Sequence, residues 1–162
     1  MKKSRLLKNQ IIKNILSAVA VAVVGFILLN ITFLFDALYQ GLIRGFIGLF
    51  IPLNPNTGLY WFPSLMHTSF VVVIGIISWF VFKSRLRVLY KAIYMTVPLA
   101  VVFATIGMFL YQWPIASYSL GILFGMFVLY YLYRTKQPWI YYYTLILISL
   151  LMLLVTLLGV EI

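Results

Sequence analysis

Residues 64–110 read SLMHTSFVVVIGIISWFVFKSRLRVLYKAIYMTVPLAVVFATIGMFL, and the class of fold is clearest in this segment. Its two apolar runs, 64–82 and 92–110, are each close to the ~20 residues that a helix needs to cross a bilayer. The segment between them, 83–91, carries four basic residues. Two apolar runs joined by a short basic segment predict a pair of transmembrane helices with a loop at the membrane surface.

Outward from this pair, three more apolar runs have the length of a span, at 15–35, 115–132 and 140–160. The chain of 162 residues is 65% hydrophobic and 9% charged, whereas soluble domains are about 45–50% apolar and about 25% charged. No single soluble core of this size hides that much apolar surface. The sequence therefore predicts an all-α fold, a polytopic transmembrane helix bundle of five spans, forming one integral membrane domain over residues 1–162.

A further apolar stretch, 41–53, has only 13 residues and contains Arg44. This length favours a short interfacial or re-entrant segment over a sixth span. With five spans, eleven of the twelve Lys and Arg residues fall on one side of the membrane and only Arg44 falls on the other. A sixth span would move the basic segment 83–91 to the opposite side and destroy this bias.

The positive-inside rule converts this bias into an orientation. We expect the N-terminus in the cytoplasm and the C-terminus outside, in the cell membrane. A cleaved signal peptide is the alternative for the basic N-terminus, but the apolar run after it continues to Phe35, beyond the 7–15 residues of such a signal. The net charge of +10 also admits nucleic-acid binding. We exclude that class because the basic residues lie in short segments between spans.

The ionisable residues in or near the apolar layer are Asp36, Arg44, His67 and Glu161. Charged groups in a membrane are costly and often functional. One hypothesis is therefore an outward-facing ligand pocket lined by Asp36, Arg44 and His67, with a rim formed by Asn54, Asn56, Trp61 and Ser64. The alternative places Asp36 and Arg44 at headgroup depth and gives His67 a local hydrogen bond. Within α-helical spacing, Asp36 can bond Gln40.

The side chains that usually support catalysis are scarce. The chain has one His, two acids and no Cys, so a His/Asp/Glu metal cluster or thiol chemistry is not expected. No HExxH, GxSxG or phosphate-binding loop motif occurs. We expect no catalytic residue, no metal and no cofactor.

Small residues mark the expected helix-packing faces. Ser117, Gly121 and Gly125 recur every four residues in the fourth span and so lie on one face. Such faces let helix backbones approach closely in lipid. Pro98 lies inside the third span, where it removes one backbone donor and predicts a kink.

Three functions are compatible with these features. The first is an accessory, scaffold or assembly subunit of a membrane complex, whose partners are membrane lipids and either a larger membrane protein or a second copy of this chain. The second is a small transporter or substrate-binding component that uses the outward pocket. The third is an enzyme that acts on a lipid of the outer leaflet, with Asp36, Arg44 and His67 close together in the topology.

Overall fold

The computed structural model describes residues 2–50 and 62–157, with side chains over 9–50 and 64–156, and these residues form five α-helices. The helices are α1 Lys2–Gly48, α2 Phe62–Lys83, α3 Val88–Phe109, α4 Pro114–Arg134 and α5 Trp139–Leu157. Each is long and apolar enough to cross a membrane. The predicted all-α bundle of five spans is confirmed, and the chain is a multi-pass membrane protein.

Short connections separate the last four helices. The α2 helix closes with a backbone bond of 2.9 Å from Ser84 to the carbonyl of Phe80, and Arg87 is extended before α3 begins. Pro114 stands at the start of α4, where its missing N–H would have no helical partner in any case. Connections this short make consecutive helices antiparallel neighbours.

The first helix is much longer than the predicted span of 15–35. Its 47 residues extend for about 70 Å, more than twice the ~30 Å thickness of a bilayer's hydrocarbon core. Residues 41–48 are its last two turns, so they do not form the separate interfacial or re-entrant segment predicted for 41–53; residues 51–53 lie outside the described residues. The helix continues because isolated glycines weaken a helix without breaking it, and the first proline after it is Pro52.

The third helix is the centre of the bundle, because it packs against each of the other four. Its threonine Thr96 is fully buried against α1 and donates to the carbonyls of Ile93 and Gly25 at 2.7 and 3.5 Å. A second buried threonine, Thr144 of α5, donates to the carbonyl of Ala92 at 3.2 Å. Pro98 leaves α3 continuous as a helix.

The two ends of the bundle differ in charge. We call the end at which α2 ends and α3 begins the basic end, because Lys83, Lys91 and Arg134 lie there. At the other end, which we call the far end, α1 runs on towards Gly48 and α2 begins. The acidic and histidine side chains of the described residues, Asp36 and His67, lie towards the far end.

Candidate polar site between the first three helices

A buried polar cluster joins α1, α2 and α3 towards the far end. Its centre is His67 in the second turn of α2. The Nδ1 atom of His67 lies 3.3 Å from Oδ2 of Asp36 on α1, and its Nε2 atom lies 3.0 Å from Oγ1 of Thr105 on α3. One imidazole therefore contacts both neighbouring helices at the same level.

Each partner is held by its own helix. Gln40 lies one turn after Asp36 and donates from Nε2 to Oδ1 of Asp36 at 3.0 Å, as the i,i+4 spacing predicts. The hydroxyl of Thr105 donates to the carbonyl of Val101 at 2.6 Å, which fixes its rotamer in α3. The carboxyl group of Asp36 and the hydroxyl of Thr105 are thus each oriented by a bond within their own helix, independently of His67.

The cluster is shielded from solvent and from lipid. Asp36 and His67 are 9% and 6% exposed, and the ring of Phe109 lies 6.5 Å from the imidazole between centroids. A charged group at such a place is costly unless it is paired and hydrogen-bonded. Among the described side chains, every buried nitrogen and oxygen atom has a hydrogen-bond partner. The cluster satisfies its own polar groups.

The hydrogen bonds restrict where the hydrogen atoms of this cluster lie. Thr105 has one hydroxyl hydrogen and gives it to Val101, so its oxygen accepts from Nε2–H of His67. One further proton is shared between Nδ1 of His67 and Oδ2 of Asp36. On Nδ1 it makes an imidazolium beside a carboxylate, on Oδ2 it makes a neutral imidazole beside a carboxyl group, and the net charge of the pair is zero in both cases. In the neutral tautomer with Nε2 as acceptor, Thr105 has to turn its hydrogen away from Val101.

A second contact ties α1 to α2 beside this cluster. The phenol oxygen of Tyr39 lies 3.1 Å from Oγ of Ser69, and Ser69 also donates to the carbonyl of Met66 at 2.7 Å. The ring of Tyr39 packs on Phe70, which is almost fully buried. These groups extend the polar seam between the two helices.

The predicted pocket residues are only partly brought together. Asp36 and His67 are in contact, whereas Arg44 is exposed two turns further along α1, about 12 Å away along the helix axis. Ser64 accepts at its carbonyl from Thr68. The predicted rim residues Asn54, Asn56 and Trp61 lie outside the described residues, and so does Glu161.

Thr105 is the member of the cluster that the sequence did not reveal. Threonines are common in transmembrane helices and most bond their own backbone, as Thr32 does with the carbonyl of Leu28 at 2.8 Å. The one indication in the sequence was the position of Thr105 along its span: it lies near the end of the third span, at the membrane level where the second span begins. Depth alone does not distinguish it from other hydroxyls.

The predicted packing face of α4 is partly used inside the chain. A Cβ atom placed on Gly121 would lie 3.8 Å from the ring of Phe103 on α3, whereas one on Gly125 would have no neighbour within 4 Å. Phe103 also packs edge-on against Phe124. Ser117 is half-buried on the same face.

Among the described residues, no group of three His, Cys, Asp or Glu side chains is placed to hold a metal ion. Comparison of the chain with protein-family models, with curated proteins and with solved structures finds no significant match.

Proposed function

We propose that this protein is a non-catalytic integral membrane subunit, an accessory or assembly component of a membrane complex. One observation carries the proposal: the buried His67 bonds both the buried Asp36 on α1 and the half-buried Thr105 on α3, so that the three helices are joined. Groups engaged in this way hold helices together, and a substrate would have to break those bonds to reach them.

The strength of such ties supports a structural role. Hydrogen bonds between transmembrane helices contribute about 0.6 kcal/mol each on average, with a maximum near 1.7. Removal of one member of a buried charged pair costs more, about 3–5 kcal/mol, because the remaining charge is left without its partner. The pair therefore fixes how α1, α2 and α3 fit together more than it adds net stability.

The exposure of α4 on the side of the bundle supports the proposal of a protein partner. In the most apolar 18-residue stretch of α4, only 6% of the residues are buried in the bundle, whereas the corresponding share for α3 is 44%. Large apolar side chains on α4, among them Ile122, Met126 and Phe127, are more than 60% exposed. A partner helix packed there would contact side chains that the chain itself leaves to lipid.

The test is purification from the native membrane in a mild detergent, followed by native mass spectrometry. The expected result is a stoichiometric protein partner or a defined homo-oligomer. A chain recovered alone and monomeric, under conditions in which a known complex of the same membrane stays intact, contradicts the proposal.

A second function, a substrate-binding or transport component, is favoured by the burial of two ionisable groups in an apolar bundle. It requires a ligand to replace one of the bonds of His67. Saturable binding of a small molecule by the isolated protein, lost in Asp36→Asn, supports it. Unchanged folding and unchanged cellular phenotype of Asp36→Asn count against it.

The proposed location is the cell membrane, with the N-terminus in the cytoplasm and the C-terminus outside; the bias of basic residues between the spans supports this. The chain has no cysteine, so single cysteines report on sidedness without a background. We expect Gln112→Cys to react with an impermeant maleimide in intact cells, and Lys136→Cys to react only after permeabilisation. The reverse pattern contradicts this orientation.

A further inference from the structure

A long groove opens on the side of the bundle near the basic end. Its volume is about 750 Å³, within the range of about 300–1,000 Å³ that small-molecule sites occupy. Its floor is α3, and its walls are α2 and α4, two helices that pack on α3 without packing on each other over the described residues. The groove is independent of the polar cluster around His67.

The groove has the length of one membrane leaflet. Its floor runs along α3 from Lys91 through Pro98 to Val102. Val102 lies eleven positions after Lys91 in the helix, a rise of about 17 Å. Half of a ~30 Å hydrocarbon core is about 15 Å. An apolar chain that begins at the membrane surface would therefore end near the bilayer centre.

Charge is concentrated at one end of the groove. The charged residues in its described lining, Lys83 and Lys91, are both positive, and no acid is present among those lining residues. Lys91 is half-buried and donates from Nζ to the carbonyl of Phe82 at 2.6 Å. This bond holds the ammonium of Lys91 at the basic end of the groove, which we call its mouth, and leaves two of the three N–H donors for another acceptor. Below the mouth, the walls are apolar, with Phe124 and Val128 on α4.

We propose that this groove binds a single anionic phospholipid, with its phosphate at Lys83 and Lys91 and one acyl chain along α3 between α2 and α4. The two lysines at one end of the groove match the phosphate, and the apolar walls and the length of one leaflet match an acyl chain. Basic side chains near a membrane surface favour anionic lipids by about fivefold each. Gly75 keeps the α2 wall open, since a Cβ atom there would have no neighbour within 4 Å.

The experiment titrates the detergent-purified full-length protein with phosphatidylglycerol or phosphatidylcholine of the same acyl chains, and counts bound lipids by native mass spectrometry. The expected result is one phosphatidylglycerol bound at least about tenfold more tightly than phosphatidylcholine, given two lysines at the mouth. Equal binding of the two lipids overturns the proposal.

Two pairs of variants localise the lipid. Gly75→Leu fills the groove and is expected to weaken both lipids, whereas Gly107→Leu, also on a glycine without neighbours within 4 Å but outside the lining, leaves them unchanged. Lys83→Gln removes a mouth charge and is expected to lower the preference for phosphatidylglycerol about fivefold. Arg85→Gln removes an exposed charge two residues further along, in the connection to α3, that does not line the groove, and it should not change this preference.

Circular dichroism and size-exclusion profiles show whether Gly75→Leu keeps its fold. If it does not, the comparison of Lys83→Gln with Arg85→Gln decides, because both side chains are exposed. Identical lipid preference in these two variants places the lipid elsewhere on the protein and overturns the proposal.

Discussion

At the scale of the residue, His67 does most to define the arrangement of the first three helices. It is the one histidine of the chain, and its two ring nitrogens point to different helices. Replacement of His67 by Ala leaves the carboxylate of Asp36 buried with Gln40 as its remaining partner. We expect this variant to lose about 3 kcal/mol of stability, because the buried carboxyl group of Asp36 loses a hydrogen-bond partner and the missing ring leaves a cavity.

Thermal or denaturant unfolding in mild detergent, followed by circular dichroism, measures this loss. Thr68→Ala is the matched control, since Thr68 is the neighbouring residue, is exposed and bonds only the backbone of its own helix among the described contacts; its cost should stay within about 0.5 kcal/mol. In a double-mutant cycle, Asp36→Asn should cost less in the His67→Ala background than in the natural chain. Additive effects show that the two side chains are not coupled.

At the scale of the element, the contact between α1 and α3 depends on a glycine. A Cβ atom on Gly25 would lie 2.7 Å from the Cγ2 methyl of Thr96, which is closer than real Cβ contacts come. Thr96 is fully buried and its hydroxyl is already bonded to Ile93, so the methyl has little freedom to move. We expect Gly25→Ala to destabilise the bundle by about 1–3 kcal/mol through overpacking.

The same unfolding measurement tests the cause. Thr96→Ser removes the methyl and keeps the hydroxyl, so Gly25→Ala/Thr96→Ser should recover much of the loss. Gly41→Ala is the control on the same helix, because a Cβ atom there has no neighbour within 4 Å; it should be neutral or slightly stabilising, since Ala is the better helix former. A Gly25→Ala variant as stable as Gly41→Ala contradicts the close approach of α1 and α3.

At the scale of the whole molecule, α3 packs on each of the other four helices and connects α2 to α4 and α5, which do not pack on α2 over the described residues. Membrane helices insert individually and then associate by packing. A chain divided after Arg85, within the connection between α2 and α3, should therefore reassemble when residues 1–85 and 86–162 are co-expressed. Each fragment keeps basic residues beside the cut, Lys83 and Arg85 on one and Arg87 and Lys91 on the other, so its insertion signal is retained.

Recovery of the second fragment with the tagged first fragment measures this assembly. Gly25→Ala in the first fragment should lower the recovery, while Gly41→Ala should leave it unchanged. Fragments that both insert but never co-purify show that the bundle requires the covalent link between α2 and α3.

The five spans could be predicted from hydropathy along the chain, because backbone groups in hydrocarbon must be bonded internally and an apolar run of about 20 residues achieves this as a helix. The sequence also determined which connections carry the basic residues, and it predicted the bond between Asp36 and Gln40, since both are properties of neighbours along the chain. Four features required the three-dimensional structure: His67 contacts Asp36 and Thr105, Arg44 is exposed, residues 41–48 prolong α1, and a groove opens beside Lys91. Contacts between helices depend on how each helix is rotated and tilted against its neighbours, and side-chain packing between them sets those angles, as the contact of Gly25 with Thr96 does for α1 and α3. Hydropathy and spacing along a single helix carry no information about these angles.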